Sequence, residues 1–455
     1  MKLTIIGGGG VRTPRLIPSL VKRAERLGLS QLWLMDNDPR KLDLIGGLCR
    51  ALADDASFEM HLTTDAREAV RGAQHVITAI RPGLEDGRAR DERICFDHGV
   101  LGQETTGAAG FAMAMRSVPA ILGYARLIEE VGAPGAWLYN FTNPAGLVAQ
   151  ALHDAGVRRV VGICDSANGA QHAVSRFLNV PLRRVHHRVY GLNHLSWSPS
   201  VRLDPEPDGT GGEEVFPGLL FDERFVAATH MSMFAPGLRE WQAAFLNEYL
   251  HYYFHRDEAL AALIGKAETR GEETMRLTAA LLDRLRFVRG DTDASLKVYQ
   301  EVMGQRSRTY MAHARGGADR VKMEPVGEDE EGYAAVALGC VEAIQNGALH
   351  YTGLNVPNAG AIEGMAEDDI VEVGCWIDAD GIRPQPVGAI RPDHLLLMQN
   401  VKQYERLAAG AILTRDRSKA VQALAVHPLI GSYPLAEKLV AAFLEAHAAL
   451  IGEWQ

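Results

Sequence analysis

A short apolar run that ends in four glycines constrains this chain more than any other stretch. The pattern predicts a strand over residues 3–6, which leads into Gly7-Gly8-Gly9-Gly10, after which Thr13-Pro14 opens a helix. Proline suits an early helical position, where its missing N–H costs nothing. Strand, glycine turn and helix start, in that order, let the backbone approach a pyrophosphate and aim a positive helix end at it. Gly7 and Gly9 satisfy G-x-G, while Arg12 stands where a third glycine would complete the fingerprint. The next apolar run, 32–35, ends on Asp36, where an acid would bind the ribose hydroxyls of a dinucleotide. Asp36 alone could be a turn or cap residue before Asp38-Pro39. Taken together, Gly7, Gly9, Gly10 and Asp36 predict an NAD site.

The alternation continues. Further strands are expected over 58–62, 75–80, 136–141 and 160–164, with helical periodicity between them, notably over 111–131. Six strands alternating with helices predict a doubly wound, Rossmann-like α/β domain over residues 1–190. The texture then changes. Acidic loops at 204–214 and 322–332 flank a mostly helical region from 238 to 315, and strands are expected near 351–362 and 368–378. Residues 191–455 are expected to form an α+β C-terminal domain for substrate, metal and oligomer contacts.

Composition narrows the function classes. A net charge of −10 argues against a nucleic-acid surface. No run of about 18 apolar residues predicts a membrane span, and the N-terminus does not read as a signal peptide. Five widely spaced cysteines without a CxxC suit free thiols in a reducing cytoplasm.

The chemistry concentrates between Gly162 and Trp197. VVGIC predicts a buried parallel strand that delivers Cys164 and Asp165 to the crevice at the sheet's carboxyl edge, and GLNHLSW adds Asn193 and His194. A cysteine at a strand end is more often a small buried hydrophobe, and a lone histidine is more often a hydrogen-bonded structural residue. If the two meet, thiolate and imidazole can share a metal with positions left open. Asn143-Pro144 leaves an amide at the end of a neighbouring strand. The GLEDGRARDERI stretch at 83–94, with Arg88, Asp91 and Glu92, reads by itself as a solvated helix face, and the loop around Glu104 reads only as a turn. The run EYLHYYF at 248–254 is too aromatic for every ring to face inward.

Several of these segments together carry a resemblance. IIGGGGVRTPRL, RPGLEDGRARDE, GVLGQETTGAAGF, LYNFTNPAGL, GICD, GLNHLSW, EYLHYY, LNVPNAGAI and AVHPL occur in the order found in glycoside hydrolase family four. Among these NAD- and manganese-dependent glycosidases, the chain looks most like the 6-phospho-β-glucosidases. The resemblance implies a Rossmann-like domain similar to lactate and malate dehydrogenases, and a homodimer or homotetramer acting on a small phosphoglycoside. It implies oxidation at the sugar C3, loss of the C2 proton, elimination of the C1 leaving group, addition of water and re-reduction. By this resemblance Cys164 and His194 would hold Mn²⁺, or another divalent metal. Tyr249 would be the C2 base, helped by the metal or a cation such as Arg270, and Asp165 the acid. Arg88, Glu104, Asn143, Asn193 and Arg270 would contact the sugar or its phosphate.

Two residues depart from the β-specific pattern. Asp165 follows the cysteine where those enzymes usually carry Asn, and Val11-Arg12 replaces a small polar and aromatic pair. A phospho-α-glucosidase and an enzyme for an unphosphorylated hexoside or uronide therefore stay open. So do a plain NAD-dependent 2-hydroxy-acid dehydrogenase, which would leave Cys164 and His194 without a role, and a non-catalytic NAD sensor.

Overall fold

In a computed structural model, described for residues 1–206, 210–314 and 333–455, the strands of the described residues form one continuous sheet. Six of them are parallel: β1 (Lys2–Ile6), β2 (Gln31–Met35), β3 (Glu59–Thr63), β4 (His75–Thr78), β5 (Trp137–Asn140) and β6 (Val160–Gly162). They lie in the order β3-β2-β1-β4-β5-β6, which places the topological switch between β1 and β4. That is where a doubly wound sheet opens a crevice at its carboxyl edge. The parallel strands are apolar because helices cover both faces: Leu3, Ile5, Leu32, Leu34, Val76 and Ile77 are completely buried.

The sheet does not stop at β6. β7 (Val185–Leu192) and β8 (Leu195–Leu203) form a hairpin, β9 (Glu213–Glu214) pairs with β8, and β10 (Phe245–Leu246) adds to the far side of β8. β11 (His350–Pro357) pairs antiparallel with β6, β12 (Ile370–Asp378) lies between β11 and β7, and β13 (Gly381–Pro384) pairs with β12. A parallel nucleotide-binding sheet thus passes without a break into an antiparallel one. Its midline, at β6, β11 and β7, carries the candidate chemistry.

The expected strand over 160–164 ends earlier, at Gly162, because β11 pairs with β6 only there, through Asn355. Ile163 still donates to Asn140 O (2.9 Å), and Cys164 stays extended before the turn Asp165–Asn168. The expected helix over 111–131 begins at Gly107 and runs to Val131. The acidic loop expected at 322–332 lies outside the described residues.

Two buried polar groupings tie the helices to this frame. Arg116, on the helix Gly107–Val131, forms a bidentate pair with Asp91 of the helix Leu84–Asp97 (3.1 and 2.6 Å). His447 of the last helix, Tyr433–Ile451, lies 2.6 Å from the same carboxylate. Lys402 pairs with Glu405 on the helix Pro392–Thr414 and donates to Gln150 Oε1 (3.2 Å) on the helix Ala145–Asp154. The five cysteines are buried and free, and no helix among the described residues is long and apolar enough to cross a membrane.

Candidate active site

The glycine turn folds back over β2. Gly7 N and Gly8 N both donate to Met35 O at 2.8 Å. Gly7 has φ +96°, and a Cβ there would lie 2.5 Å from Ala79 O, so both conformation and space require glycine. Asp36 closes the turn from the other side: its Oδ2 accepts from Gly9 N at 3.0 Å, and its Oδ1 accepts from Asp38 N at 3.0 Å. A side chain at Gly9 would meet that carboxylate. Gly10 N returns to Gly7 O, and the chain enters a 3-10 turn at Thr13 before the helix Leu16–Leu27. Gly7, Gly9, Gly10 and Asp36 therefore share one turn beside the β1/β4 switch.

Further along the same edge, Cys164 and His194 meet. Cys164 Sγ lies 3.3 Å from His194 Nε2, although one residue follows β6 and the other sits in the turn between β7 and β8. The approach depends on the two-residue turn of the β7–β8 hairpin, where Leu192 pairs with Leu195 and His194 adopts φ +65°. A left-handed conformation at a histidine is uncommon, and here it aims the ring at β6. The tautomer follows from the hydrogen bonds. Thr105 Oγ1 donates to Gln103 Oε1 (2.9 Å), so toward His194 Nδ1 (2.8 Å) its oxygen accepts. The proton then sits on Nδ1, and Nε2 turns a lone pair toward the cysteine. Burial holds His194 down to about 4, so the ring is neutral near pH 7. Burial, and then Asp165 and Glu372, push the Cys164 thiol up. A bound cation reverses that balance. Sulfur and imidazole nitrogen this close, with the tautomer set, fit one divalent ion. Among the described residues no group of three or more His, Cys, Asp or Glu is placed to hold a metal, so this pair is a partial ligand set.

Tyr249 lies flat against His194, with ring centroids 3.7 Å apart and planes 9° from parallel. Asn247 caps its 3-10 turn by accepting from Tyr249 N, and donates to Ser166 Oγ and Ser196 Oγ, which anchors the turn to both ligand loops. Of the three tyrosines in the aromatic run, Tyr249 alone stacks on the metal-ligand candidate. Tyr252 sits against His313, and Tyr253 faces His427. Burial, and then Glu248, push the Tyr249 phenol well above its ordinary value. Its hydroxyl lies 2.8 Å from that of Tyr310, which also reaches Glu248.

The expected cation beside Tyr249 is engaged elsewhere. Arg270 donates to Glu273 Oε2 (2.7 Å), Thr309 Oγ1 (2.6 Å) and Arg306 O (2.6 Å). It pins the end of the helix Thr292–Arg308 and the residues that follow it. Arg88, read from sequence as part of a solvated face, is buried. It binds Glu92 (2.7 Å) and Glu104 (3.0 Å), and Glu104 also binds Arg81. Burial opposes the Glu104 charge, but Arg81 and Arg88 outweigh it and hold the carboxyl far below its usual range. Asn193 is brought in through both ends of its amide: Oδ1 accepts from Gly146 N, and Nδ2 donates to Glu372, each at 3.3 Å. Asn143 follows the end of β5 and is half-buried, and Asp165 stands exposed beside Cys164.

Comparison with known proteins gives the family. The family model "Family 4 glycosyl hydrolase" matches residues 2–180, and that of its C-terminal domain matches residues 189–430. The chain belongs to family 4 of the glycosyl hydrolases. Within the family it is 32% identical to a probable 6-phospho-beta-glucosidase of Bacillus subtilis, over 100% of this chain and 98% of the relative. It is 28% identical to the phospho-alpha-glucosidase PagL of Clostridium acetobutylicum, over 98% and 97%. Its fold matches a Thermotoga maritima 6-phospho-beta-glucosidase solved with manganese, NAD⁺ and glucose-6-phosphate: TM-score 0.82, 25% identity, 99% of each chain. A malate dehydrogenase from Naegleria fowleri (TM-score 0.51, 13% identity, 90% of this chain and 98% of that one) shares the fold alone. The dehydrogenase reading kept open from sequence therefore yields to the family 4 assignment.

Four residues in contact with the candidate site escaped the sequence reading: Thr105, Glu248, Tyr310 and Glu372. Thr105 and Glu248 lie inside segments already singled out, but nothing in a linear pattern says that one orients an imidazole or that the other faces a phenol. Tyr310 and Glu372 reach the site only through tertiary packing.

Proposed function

We propose that this family 4 enzyme hydrolyses 6-phospho-β-glucosides, using NAD⁺ and a divalent metal such as Mn²⁺. The observation that carries the reading is the Cys164–His194 pair with Tyr249 stacked on its imidazole, a grouping a plain dehydrogenase would not need. Gly7, Gly9, Gly10 and Asp36 would hold the dinucleotide, and Cys164 and His194 the metal. When bound, these groups supply transient oxidation at the sugar C3 and stabilisation of charge on the C2 and C3 oxygens. Tyr249 removes the C2 proton. Asp165 donates a proton to the leaving oxygen as the C1 bond breaks, and takes one back when water adds. Arg88, held by Glu92 and Glu104, and the Arg270 corner bound the sugar end of the crevice. Asn143 and Asn193 bound its sheet edge.

The same reading divides the chain near residue 190 into a nucleotide-binding and a substrate domain. It assigns the enzyme to the cytoplasm, where free buried thiols persist, as a homodimer or homotetramer. A phospho-α-glucosidase is the second reading, favoured by Asp165 directly after the cysteine and by α-acting relatives such as PagL. The test is release of p-nitrophenol from 6-phosphorylated and plain β-glucosides and from the 6-phosphorylated α-glucoside under reducing conditions, with NAD⁺ and Mn²⁺ added together or singly omitted. Turnover of the phosphorylated β-substrate alone, with both additions, is expected. Turnover of the α-anomer instead would move the assignment there, and turnover of only the plain glycoside would remove the phosphate from it.

A further inference from the structure

A hydroxyl and a carboxylate form a line that leads away from the Tyr249 phenol. Tyr310 Oη lies 2.8 Å from Tyr249 Oη and 2.7 Å from Glu248 Oε1, both ordinary O–H···O distances. The direction of the bonds follows from proton count. An ionised carboxylate only accepts, and Tyr310 has one hydroxyl proton, so that proton goes to Glu248. Toward Tyr249 the Tyr310 oxygen can only accept, and Tyr249 O–H must donate to it. The remaining Tyr249 lone pairs are then turned away from Tyr310, free to take a proton from the crevice side.

We infer that Tyr310 and Glu248 form a proton relay behind Tyr249, so that the proton leaving the sugar C2 is balanced by one arriving on the Glu248 carboxylate. The inference rests on the glycosidase reading above. In the step, Tyr249 Oη bonds to the C2 proton as its own proton passes to Tyr310 and the Tyr310 proton passes to Glu248. The electron pair of the C2–H bond moves into the C2–C3 bond and onto the oxygen of the C3 ketone left by NAD⁺-dependent oxidation. No residue other than Glu248 changes charge. The relay resets when C2 is reprotonated after water addition, with each proton moving back one place, and it asks no prior ionisation of the phenol.

The surrounding contacts hold the line in place. Tyr249 is fixed by its stack on His194 and by the Asn247 cap. Tyr310 follows the segment that Arg270 pins through Thr309 Oγ1 and Arg306 O. Arg270, expected from sequence as a cation beside the base, would thus serve the base by placing Tyr310. Besides Tyr310 and the stacked His194, charged and titratable groups that act on Tyr249 from the elements around it include Glu248, Cys164, Glu104 and Arg88. Tyr310 and Glu248 act through Tyr249 and are positioning residues.

The test uses the intact chain with NAD⁺, Mn²⁺ and p-nitrophenyl 6-phospho-β-glucoside carrying ¹H or ²H at C2. Tyr310→Phe, Glu248→Gln and the double variant would be compared with the unmodified enzyme. Glu248→Gln is the decisive variant. It keeps size and an acceptor for Tyr310, but an amide oxygen will not take up the relayed proton. The expected result is a fall in kcat of about 10²-fold or more for each single variant, the scale of a general base. The C2 isotope effect should rise, with KM and NAD⁺ affinity within about twofold. The double variant should be no slower than the worse single one, because residues that act as a unit are not additive. Glu248→Gln at unmodified kcat, or additive losses with an unchanged C2 isotope effect, would overturn the relay and leave the glycosidase reading intact. An unmodified enzyme that turned over no phosphoglucoside of either anomer would overturn that reading, and the relay with it. Melting temperature and NAD⁺ binding distinguish a misfolded variant, and Glu248→Asp then supplies the replacement: partial recovery of kcat supports the relay, none overturns it.

Discussion

Thr105 fixes which nitrogen of His194 faces Cys164. Its hydroxyl proton goes to Gln103, so its oxygen accepts from Nδ1–H and leaves Nε2 bare at 3.3 Å from the cysteine sulfur. Such outer partners typically change metal affinity by about 10–100-fold. Thr105→Val is therefore expected to weaken Mn²⁺ binding by roughly that factor while NAD⁺ affinity holds. Cys164→Ser should abolish stoichiometric metal and most activity. Metal analysis after gel filtration, with activity titrated against Mn²⁺, checks both. Full metal retention in Cys164→Ser would remove the cysteine from the ligand set.

Tyr249 and Asp165 should separate kinetically, because they act on different bonds. Tyr249→Phe is expected to lower kcat by about 10²–10⁴-fold, whereas Tyr252→Phe should stay close to the unmodified rate. Asp165→Asn should spare aryl phosphoglucosides with acidic phenols and cripple those with poor leaving groups, so a plot of log kcat against leaving-group pKa steepens. Equal loss across the series would take the acid role from Asp165.

The parts legible in the sequence are those written locally. The strand, glycine turn and Asp36 foretold the nucleotide edge because backbone approach demands small residues at fixed spacing, as Gly7 and Gly9 show. Cys164 and His194 were visible as candidates because they end adjacent motifs. Their meeting followed from the family resemblance and not from the local pattern, since it needs the hairpin turn and the φ of +65° at His194. Arg88 read as solvent-facing because its helix is rich in charge, but its charged residues pair inward: Arg88 with Glu92, and Asp91 with Arg116. The run of sheet from β6 into β11 had no local signal at all, because Gly162 and Asn355 are far apart in the chain.

The inward pairing has a stability consequence. Arg116, Asp91 and His447 are each 3% exposed or less and join three helices. Removing one partner of a buried pair leaves an uncompensated charge, at a cost of about 3–5 kcal/mol. Arg116→Met is expected to lose stability on that scale. It should also loosen the Arg81–Gly83 turn, because Arg116 Nε donates to Pro82 O at 3.0 Å. Arg116→Met with Asp91→Asn should recover part of the loss, since both charges are then gone. Urea denaturation of the single and double variants measures the coupling.

Acid should destabilise the fold well before the carboxylates titrate. Burial, and then His186 and His172, lower His187 to about 3; burial lowers His75 to about 4. Each stays neutral in the folded chain, while in the unfolded chain it titrates near about 6.5. Above that pH neither state binds the proton, and stability is unaffected. Below it the unfolded chain binds protons that the folded chain refuses, so stability falls with pH until the folded value is reached. For a group as buried as His187 the loss is on the order of 2–4 kcal/mol across that window. His187 sits between Ser198 Oγ (3.2 Å) and Asn168 Oδ1 (3.4 Å), contacts a glutamine amide can partly replace. His187→Gln is therefore expected to start less stable at pH 7.5 but to lose less between pH 7.5 and 4.5. Parallel stability–pH curves for the two proteins would show that His187 is not a source of the acid sensitivity.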